Sequence, residues 1–593
     1  MRTAIIVGMS TCNIAAGAQE IYDLCAREIA GRSLEADLRI AGCLGMCFSE
    51  PQVQIVEESG ERHLYVNVNP SRMEKILSEH LVGGRPMEQW LATPGKGDAH
   101  EFQQKQRQIV LANCGRIDPE NVDDYLGVDG YVALRKALEG GDPHAVIDTV
   151  TQSGLRGRGG AGFPTGLKWK FARAAAGSKK YVICNADEGD PGAFMDRTVL
   201  ESDPHAVLEG MAISGFATGA DEGYVYCRAE YPLAVERLLK AIAQAEDKGL
   251  LGINILGAGF DFVVHVKEGA GAFVCGEETA LLASIEGQRG MPRIRPPFPA
   301  QSGLFGKPTT INNVETLANI PWILRNGAAA YASLGTKKSK GTKVFALTGK
   351  IKRGGLVEVP MGITLSEIIY EVGGGPPGRR QVLAVQMGGP SGGCVPAQLF
   401  DTRVDYEEVS RTGAIMGSGG MVVLDDTSCM VDVARYFLKF IQDESCGKCT
   451  FCRVGTMRML EILTRICNGE GRGEDLDLLH DLAIQVKTTS LCGLGQTAPN
   501  PVLTTLRHFR EVYEQHIHDR ECRAGKCREL CSFDLTEKCT GCHVCFVDCP
   551  VAAISGEKKE QHSINQELCI RCGVCRDVCK FEAVDVRPPV RHS

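Results

Sequence analysis

Short strand-like runs alternate with amphipathic stretches over the first 85 residues. Residues 4–7, 38–40 and 54–56 have the pattern of strands, and residues 15–30 and 71–81 have the periodicity of helices. This pattern predicts a small α/β domain at 1–85. The glycine- and proline-rich stretch that starts at Gly83 marks its end.

The same patterns predict the later segments. Helical periodicity at 131–138 and 145–152 and an apolar strand at 181–184 belong to a domain at 86–341. Alternating runs at 343–349 and 355–360, followed by a helix at 365–372, predict a β-grasp module at 342–430. Helices at 431–442, 458–466 and 475–487 predict a bundle at 431–510, which a linker at 511–532 joins to a tail at 533–593.

Composition narrows the function. The 593 residues, 44% of them hydrophobic, can fill several cores. The formal charge of −8 argues against a nucleic-acid partner, which would need a basic face. The sequence has neither a run of 18 apolar residues nor a signal-peptide pattern, so we expect a cytoplasmic protein without a membrane partner.

The 26 cysteines point to metal clusters, because they recur as C-x2-C repeats in a chain too large to need disulfides. Cys446, Cys449 and Cys452 form a C-x2-C-x2-C run that can present three thiolates to a [4Fe-4S] cluster, with Cys492 as the fourth ligand. A zinc site is the alternative, but three cysteines at this spacing crowd a tetrahedral ion.

The tail repeats one cysteine pattern after thirty residues. It is the two-cluster ferredoxin pattern, in which the fourth cysteine of each run crosses to the other cluster. One [4Fe-4S] cluster would take Cys539, Cys542, Cys545 and Cys579, and the other would take Cys569, Cys572, Cys575 and Cys549.

A glycine-rich loop follows the helix at 145–152. Five glycines lie between Gly157 and Gly166, and Arg156, Arg158 and Lys168 add positive charge, so the loop can hold a phosphate. It contains the letters of G-x-G-x-x-G, but the preceding segment does not look like a Rossmann strand. A flexible surface loop is the alternative interpretation.

Three strings downstream make the loop specific: 185–192 (NADEGDPG), 276–281 (GEETAL) and 307–316 (KPTTINNVET). With the loop, they resemble the NADH- and FMN-binding flavoprotein subunit of respiratory complex I and its soluble relatives, over about residues 110–510. The resemblance implies a multidomain α/β and α+β protein: a thioredoxin-like domain, a flavoprotein-type nucleotide domain, the β-grasp module, a helical bundle with a [4Fe-4S] cluster, and a two-cluster ferredoxin tail.

The resemblance also implies which residues surround the cofactors. The FMN site would comprise Gly157, Arg158, Gly159, Gly160, Lys168, Asn185, Asp187, Phe273, Asn312, Asn313 and Thr316. The NADH site would comprise Phe163, Phe171, Glu188, Asp190, Glu277, Glu278 and Phe298. Aromatic rings can stack on the nucleotide bases, and carboxylates can accept hydrogen bonds from ribose, which favours NAD over NADP. No side chain is expected to act as a catalytic acid or base.

The N-terminal domain resembles thioredoxin-like [2Fe-2S] domains through Cys12, Cys43 and Cys47. Those domains carry a C-x4-C pair at the first site, whereas here the second position is Gly17. Cys25 could replace the missing ligand, a non-protein ligand could complete the cluster, or the cluster could be lost and the cysteines only packed.

A zinc site is a further hypothesis. His516, Cys522 and Cys527 have suitable residue types, and Cys467 is preferred over Cys531 as the fourth ligand. A linker with reduced thiols is the alternative.

The ferredoxin tail and the string 189–197 resemble the hydrogenase and formate dehydrogenase branch of the family more than complex I. We therefore expect an NADH-dependent diaphorase subunit, similar to the β subunit of NAD-dependent electron-bifurcating [FeFe]-hydrogenases. Its partners would be ferredoxin, a thioredoxin-like [2Fe-2S] subunit and an iron-sulfur catalytic subunit. A formate dehydrogenase subunit and a non-catalytic electron-relay scaffold are the alternatives.

Overall fold

A computed structural model describes residues 2–92 and 97–589. The N-terminal domain is a four-stranded sheet of order β2-β1-β3-β4, in which only the β1/β2 pair is parallel. Its elements are β1 (Thr3–Gly8), α1 (Thr11–Ala15), α2 (Ala18–Arg32), β2 (Ala36–Ala41), β3 (Val53–Val56), β4 (Arg62–Tyr65) and α3 (Pro70–Ile76), which a π-helical turn at Leu77–Val82 extends. The predicted helix at 15–30 is wrong at its start, because Gly17 has φ 106° and separates α1 from α2.

The central domain is built on the parallel sheet β7-β6-β5-β8. Its strands are β5 (Tyr181–Ala186), β6 (Glu222–Arg228), β7 (Val263–Gly269) and β8 (Thr309–Asn313). The helices of this region are α4 (Gly97–Gln104), α5 (Val122–Leu126), α6 (Val132–Gly140), α7 (Pro143–Ser153), α8 (Thr165–Ala174), α9 (Met195–Ser202), α10 (Pro204–Thr218), α11 (Pro232–Asp247), α12 (Glu278–Ile285), α13 (Val314–Asn326) and α14 (Ala328–Ala332). Helices cover both faces, since Val182 of β5 packs with α10 and α13 and Ile183 packs with α12.

The third module is a five-stranded sheet of order β10-β9-β13-β11-β12. Its elements are β9 (Thr342–Gly349), β10 (Gly355–Pro360), β11 (Val382–Met387), β12 (Gly393–Pro396), α15 (Tyr406–Arg411) and β13 (Gly420–Asp425). The predicted hairpin is confirmed by the antiparallel β9/β10 pair, whereas the predicted helix at 365–372 is a π-helical turn at Glu367–Val372. The buried Glu358 on β10 accepts hydrogen bonds from the backbone N–H groups of residues 109–111, which ties this sheet to the central domain.

The C-terminal third is a helical bundle and a small two-helix unit. The bundle contains α16 (Met430–Asp443), α17 (Thr456–Cys467), α18 (Asp475–Thr489), α19 (Gly493–Thr497), α20 (Asn500–His508) and α21 (Arg510–Glu514). The last unit contains β14 (Ser532–Leu535), α22 (Val544–Val547), β15 (Ile554–Ser555), β16 (Ser563–Ile564), α23 (Val574–Asp577) and β17 (Val584–Arg587), and β14 pairs with β17. Residues 511–532 are not a free linker, because Tyr513, Ile517 and Leu530 are buried in the core of the bundle.

Membrane insertion finds no support among the helices described. None of them combines the length and the apolar composition that a bilayer crossing requires.

Candidate functional site

The sequence-predicted site residues gather at the carboxyl edge of the parallel sheet. Asn185 lies near the end of β5, Asp187 and Glu188 follow it, and Asn312 and Asn313 end β8. The glycine loop lies between α7 and α8 and reaches the same edge. Ligands of open parallel sheets bind outside the carboxyl ends of the strands, so this edge is the candidate nucleotide site.

The glycine loop is an ordered hairpin-like turn. The Gly157 N–H donates to the Phe163 carbonyl (2.8 Å), and the Tyr406 hydroxyl donates to the Gly157 carbonyl (2.7 Å). A Cβ atom added at Gly159 would lie 3.0 Å from the Cβ of Asn313, and Gly160 has φ 117°. The glycines are therefore needed for the close approach to β8 and for the backbone conformation.

The side chain of Arg158 does not face the cofactor site, which corrects the sequence prediction. Arg158 is fully buried, and its guanidinium donates to the carbonyls of Thr342, Lys340 and Arg156 and to the hydroxyl of Tyr331, at 2.6 to 3.0 Å. The guanidinium satisfies carbonyl groups that would otherwise be buried without donors. It fastens the glycine loop to the start of β9.

Polar side chains connect β8, α13 and the loop. Trp169, fully buried on α8, donates from Nε1 to Oδ1 of Asn312 (2.9 Å). Asn313 caps α13 by accepting from the backbone N–H of Thr316 (3.2 Å), and Thr316 Oγ1 accepts from the backbone N–H of Arg158 (2.8 Å). These bonds fix the corner at which the three segments meet.

Three buried carboxyl groups follow β5. Burial raises the pKa of Asp187 and of Glu188 to about 7 and that of Asp190 to about 6. Glu188 accepts two backbone N–H groups from the first turn of α9 (3.0 and 3.1 Å), and Asp190 accepts from the Ser418 hydroxyl (2.6 Å). Both oxygens of Asp187 are buried and lack a partner in the described structure. An orphaned carboxylate fits a ligand that brings hydroxyl donors, such as the sugar chain of FMN.

Lys168 lies at the same edge and forms an ion pair with an acidic residue of the predicted NADH site. Its Nζ is 2.5 Å from Oε1 of Glu278 and donates to the Ile311 carbonyl (2.9 Å). Arg295 also approaches Glu278 (3.4 Å). Glu277 caps α12, since its Oε2 accepts from the backbone N–H of Thr279 (2.9 Å). Both cations are partly exposed.

The three phenylalanines predicted for the NADH site are exposed. Phe163, Phe171 and Phe298 expose 43, 52 and 53% of their surface, so their rings are open to stacking on a nucleotide. Phe273 instead packs edge-to-face on Phe440 of α16, with ring centroids 5.4 Å apart. Its contact joins the nucleotide domain to the bundle.

The first cysteine run lies next to this edge. Burial, together with the neighbouring thiols of Cys449, Cys492 and Cys446, raises the pKa of Cys452 to about 11. Burial raises the pKa of Cys492, and the nearby carboxylate of Glu277 also raises it. The four thiols therefore lie near one another, on the side of the edge where Glu277 lies.

The two runs of the tail are interleaved as predicted. Burial raises the pKa of Cys545, and the neighbouring thiols of Cys539, Cys542 and Cys579 also raise it. Cys549 lines a small cavity together with Cys569, Cys572 and Cys575. Each fourth cysteine thus lies with the other run, and the donor sets fit two iron-sulfur clusters.

The structure indicates a different fourth ligand for the predicted zinc site. One ligand atom from each of Cys429, His516, Cys522 and Cys527 lies within 4.8 Å of the others, a spacing that one tetrahedral ion can bridge. Cys467, the predicted fourth ligand, is not in this set, so the structure replaces it with Cys429 at the start of α16. His516 presents Nε2 to Cys429 (3.3 Å), while its Nδ1 lies 2.8 Å from the Val512 carbonyl.

The N-terminal thiols face the central domain. Nη2 of Arg197, on α9, lies 3.5 Å from Sγ of Cys12, and the backbone N–H of Cys43 donates to the Ser202 hydroxyl (3.0 Å). Cys25 does not join them, because it is buried on α2 among the apolar side chains of its own domain.

Several contributors escaped the sequence prediction. Arg228 and Cys429 lie outside any recognised motif, and Arg197 ends the string 189–197 but was given no role. Arg228, at the end of β6, occupies the space beside Gly189: a Cβ there would lie 1.9 Å from its Nη1. A side chain at position 189 would therefore require Arg228 to move.

Family models match four parts of the chain. They are the Nuo51 FMN-binding domain (150–322), the SLBB domain (344–395), the NADH-ubiquinone oxidoreductase-F iron-sulfur binding region (432–516) and the 4Fe-4S dicluster domain (533–580). The chain is therefore a mixed α/β multidomain protein with FMN-binding, SLBB and 4Fe-4S domains.

Individual relatives cover most of the chain. The NADP-reducing hydrogenase subunit HndC of Solidesulfovibrio fructosivorans is 56% identical over 483 residues, which are 81% of this chain and 98% of HndC. An NADH-quinone oxidoreductase subunit of Rhizobium meliloti (strain 1021) is 46% identical over 70% of this chain and 98% of its own length. A crystal structure of an air-oxidised NAD+-reducing [NiFe]-hydrogenase matches with a TM-score of 0.61 and 32% identity, over 87% of this chain and 85% of that chain.

Proposed function

The chain belongs to the family of flavoprotein subunits that includes HndC and the matching subunits of NADH-quinone oxidoreductases, and from that membership we propose that it is the diaphorase subunit of a hydrogenase complex. It would exchange electrons between a nicotinamide nucleotide and iron-sulfur clusters through FMN. The observation that carries the proposal is that one edge joins the flavin, nucleotide and cluster residues. A Cβ at Gly276 would lie 3.6 Å from a carboxylate oxygen of Asp187, and the next residue, Glu277, is a neighbour of Cys492.

A bound FMN supplies the conversion between two-electron hydride transfer and one-electron transfer to clusters. The residues of this chain bind and orient it. The glycine loop lets a ligand approach its backbone closely, Lys168 offers a cation for the phosphate, and Asp187 offers two acceptor oxygens for hydroxyl groups. Glu188 holds the start of α9 through its backbone hydrogen bonds and keeps a buried carboxyl group beside the flavin position.

The nucleotide would bind on the exposed side of the same edge. Phe163, Phe171 and Phe298 supply stacking surfaces, and Glu278 supplies an acceptor for a ribose hydroxyl. A carboxylate at that point repels a 2′-phosphate, which favours NAD over NADP. Because HndC is named as NADP-reducing, kcat/KM for NADH and for NADPH should be measured side by side, and we expect the larger value for NADH.

Metal sites complete the proposal. Cys446, Cys449, Cys452 and Cys492 would hold one [4Fe-4S] cluster, and the interleaved tail runs would hold two more. Cys429, His516, Cys522 and Cys527 would hold a structural zinc ion. Cys12, Cys43 and Cys47 would hold a [2Fe-2S] cluster in the N-terminal domain. The partners would be the hydrogen-activating subunit and other iron-sulfur subunits of the complex, with ferredoxin as a second electron partner.

The direct test uses the isolated chain, prepared without oxygen. It should contain FMN and should reduce a dye with NADH as electron donor. Lys168→Ala should release FMN during gel filtration, with a Kd raised about tenfold or more, because a hydrogen bond to a charged group is lost. Full FMN content in that variant would contradict the assignment of Lys168. Absence of NADH-dependent dye reduction by the FMN-loaded chain would contradict the proposed function.

The identity of the complex needs the native assembly. Affinity purification of the tagged chain from its own cells, under anaerobic conditions, should recover a protein that consumes or produces hydrogen. Recovery of formate-oxidising activity instead would assign the chain to a formate dehydrogenase.

A further inference from the structure

One carboxylate lies among the three thiols of the N-terminal domain. Sγ of Cys12, Sγ of Cys47 and an oxygen of Glu50 lie within 4.8 Å of one another. Oε1 of Glu50 is also 3.5 Å from Sγ of Cys43. Glu50 is thus next to every thiol for which the sequence predicts a cluster, at the point where a fourth donor is missing.

The other residues considered for that role do not reach the thiols. Gly17 has no donor side chain, and Cys25 points into the apolar core with Ile21 and Leu24. Iron-sulfur clusters accept ligands other than thiolates: in Rieske centres two imidazoles replace two cysteines. A carboxylate is a hard anionic ligand that iron binds readily.

The spread of the donors favours a cluster over a single ion. Cys43 is not part of the compact set that Cys12, Cys47 and Glu50 form, although it contacts Glu50. A tetrahedral ion needs its four ligand atoms all close together, as in the set that includes His516. Four donors over a wider space suit two metal ions bridged by sulfide.

We propose that Glu50 is the fourth protein ligand of a [2Fe-2S] cluster held by Cys12, Cys43 and Cys47. This inference rests on one part of the proposed function, namely that the N-terminal domain carries a redox centre. The cluster would then have three thiolate ligands and one carboxylate ligand. With this set complete, neither the loss of the cluster nor a non-protein ligand is needed to explain the missing fourth cysteine.

The surroundings are suited to a buried anionic group. Arg197 lies 3.5 Å from Sγ of Cys12, and its Nε is buried without a hydrogen-bond partner in the described structure. Asn13 donates from Nδ2 to Oε1 of Glu50 (3.3 Å). The backbone N–H of Arg197 also donates to Glu188, so one residue contacts both this site and the flavin site. A cluster here would be linked to the proposed flavin site through Arg197.

The test uses the full chain, reconstituted anaerobically with iron, sulfide and FMN and then reduced. Electron paramagnetic resonance separates the centres, because reduced [2Fe-2S] signals persist at temperatures at which [4Fe-4S] signals broaden away. The wild type should show a [2Fe-2S] signal. Glu50→Gln should reduce its intensity about tenfold or shift its g-values, since loss of a ligand weakens the site at least as much as loss of a supporting residue. Glu50→Cys should restore full intensity with the g-values of an all-cysteine cluster.

Glu58→Gln is the matched control, because Glu58 is exposed in the same domain. Its signal should equal that of the wild type. The proposal is overturned if Glu50→Gln has the wild-type g-values and intensity, or if the wild type has no [2Fe-2S] signal or contains zinc there. Restoration by Glu50→Cys excludes misfolding as the reason for the loss. FMN content and NADH oxidation of the wild type are measured separately, so failure of the proposed function is recognised independently.

Discussion

Asp187 follows β5 with a carboxyl group that is buried and unpartnered in the described structure, and burial raises its pKa to about 7. The folded, flavin-free protein therefore keeps this group protonated below about pH 7, whereas an unfolded aspartate ionises near 3.8. The flavin-free fold should accordingly become less stable as the pH rises from about 4 to about 7. Thermal unfolding of flavin-free protein across this range measures the trend.

Flavin affinity should show the opposite trend. Hydroxyl donors on the ligand favour the ionised carboxylate, so affinity should increase with pH by up to about tenfold per unit below pH 7 and level off above it. Titrations of flavin-free protein with riboflavin, followed by fluorescence, measure this without the phosphate's own ionisation. Asp187→Asn should remove the dependence, and a slope that persists in this variant would show that another group is responsible.

Single residues show what the sequence could and could not reveal. Asn185, Asp187, Asn312 and Asn313 lie in contiguous strings, and the structure brings them to one edge. Arg158 was misread, because a cation in a glycine loop looks the same in sequence whether it faces a phosphate or buried carbonyls. Glu50 has no motif of its own: only folding brings it to Cys12, 38 positions away along the chain.

At the scale of an element, the glycine loop combines a binding part with a structural part. Arg158→Met should leave several buried carbonyls without donors and lower the free energy of unfolding by about 2 kcal/mol or more. The melting temperature and the FMN content of this variant should both be lower than those of the wild type. Lys168→Ala is the contrasting variant, since it should lose FMN while its flavin-free melting temperature stays near that of flavin-free wild type. Equal melting temperatures for Arg158→Met and wild type would contradict the structural role.

The bundle makes a second prediction at this scale. Cys429→Ser should remove the zinc ion, because Cys429 belongs to the compact donor set at the start of α16, and Cys467→Ser should retain it. Metal analysis of the two purified variants measures the difference. Since the site joins α16 to the segment 516–527, zinc loss should also increase proteolysis in that segment. Zinc loss in Cys467→Ser alone would restore the ligand set predicted from sequence.

Periodicity located most elements but not their irregular parts. The helix at 145–152 is confirmed as α7, and the hairpin at 343–360 is confirmed as β9 and β10. The break at Gly17 was missed because a glycine is compatible with a helical pattern until its φ angle is known. Residues 511–532 looked like a linker, since a short apolar pattern does not reveal the core into which it packs.

For the whole molecule, iron content is the simplest prediction. Three cubane clusters require about twelve iron atoms per chain, and a [2Fe-2S] cluster adds about two. Cys549→Ser should lose the cluster of Cys569, Cys572 and Cys575 rather than that of its own run, because Cys549 lines the same cavity as those residues. Iron analysis with Mössbauer spectra of the variant would show it. Loss of the cluster of Cys539, Cys542 and Cys545 instead would mean that the runs are not interleaved.

The order of the domains was accessible to sequence reasoning because most of them carry a cysteine or glycine signature and the β-grasp module has alternating strand runs. Their mutual packing was not. Contacts such as Phe273 with Phe440, or Arg197 with Cys12, join residues 167 and 185 positions apart, and no local pattern encodes such pairs. These contacts nevertheless determine which centres are neighbours.

The pairing of β14 with β17 brings residues 532–535 and 584–587, the two ends of the iron-sulfur tail, side by side. A segment whose two ends pair with each other closes into a compact unit that can fold as a domain of its own. Recombination between genes could therefore add or remove this two-cluster domain in a single step and connect the same flavoprotein to a different electron-transfer partner.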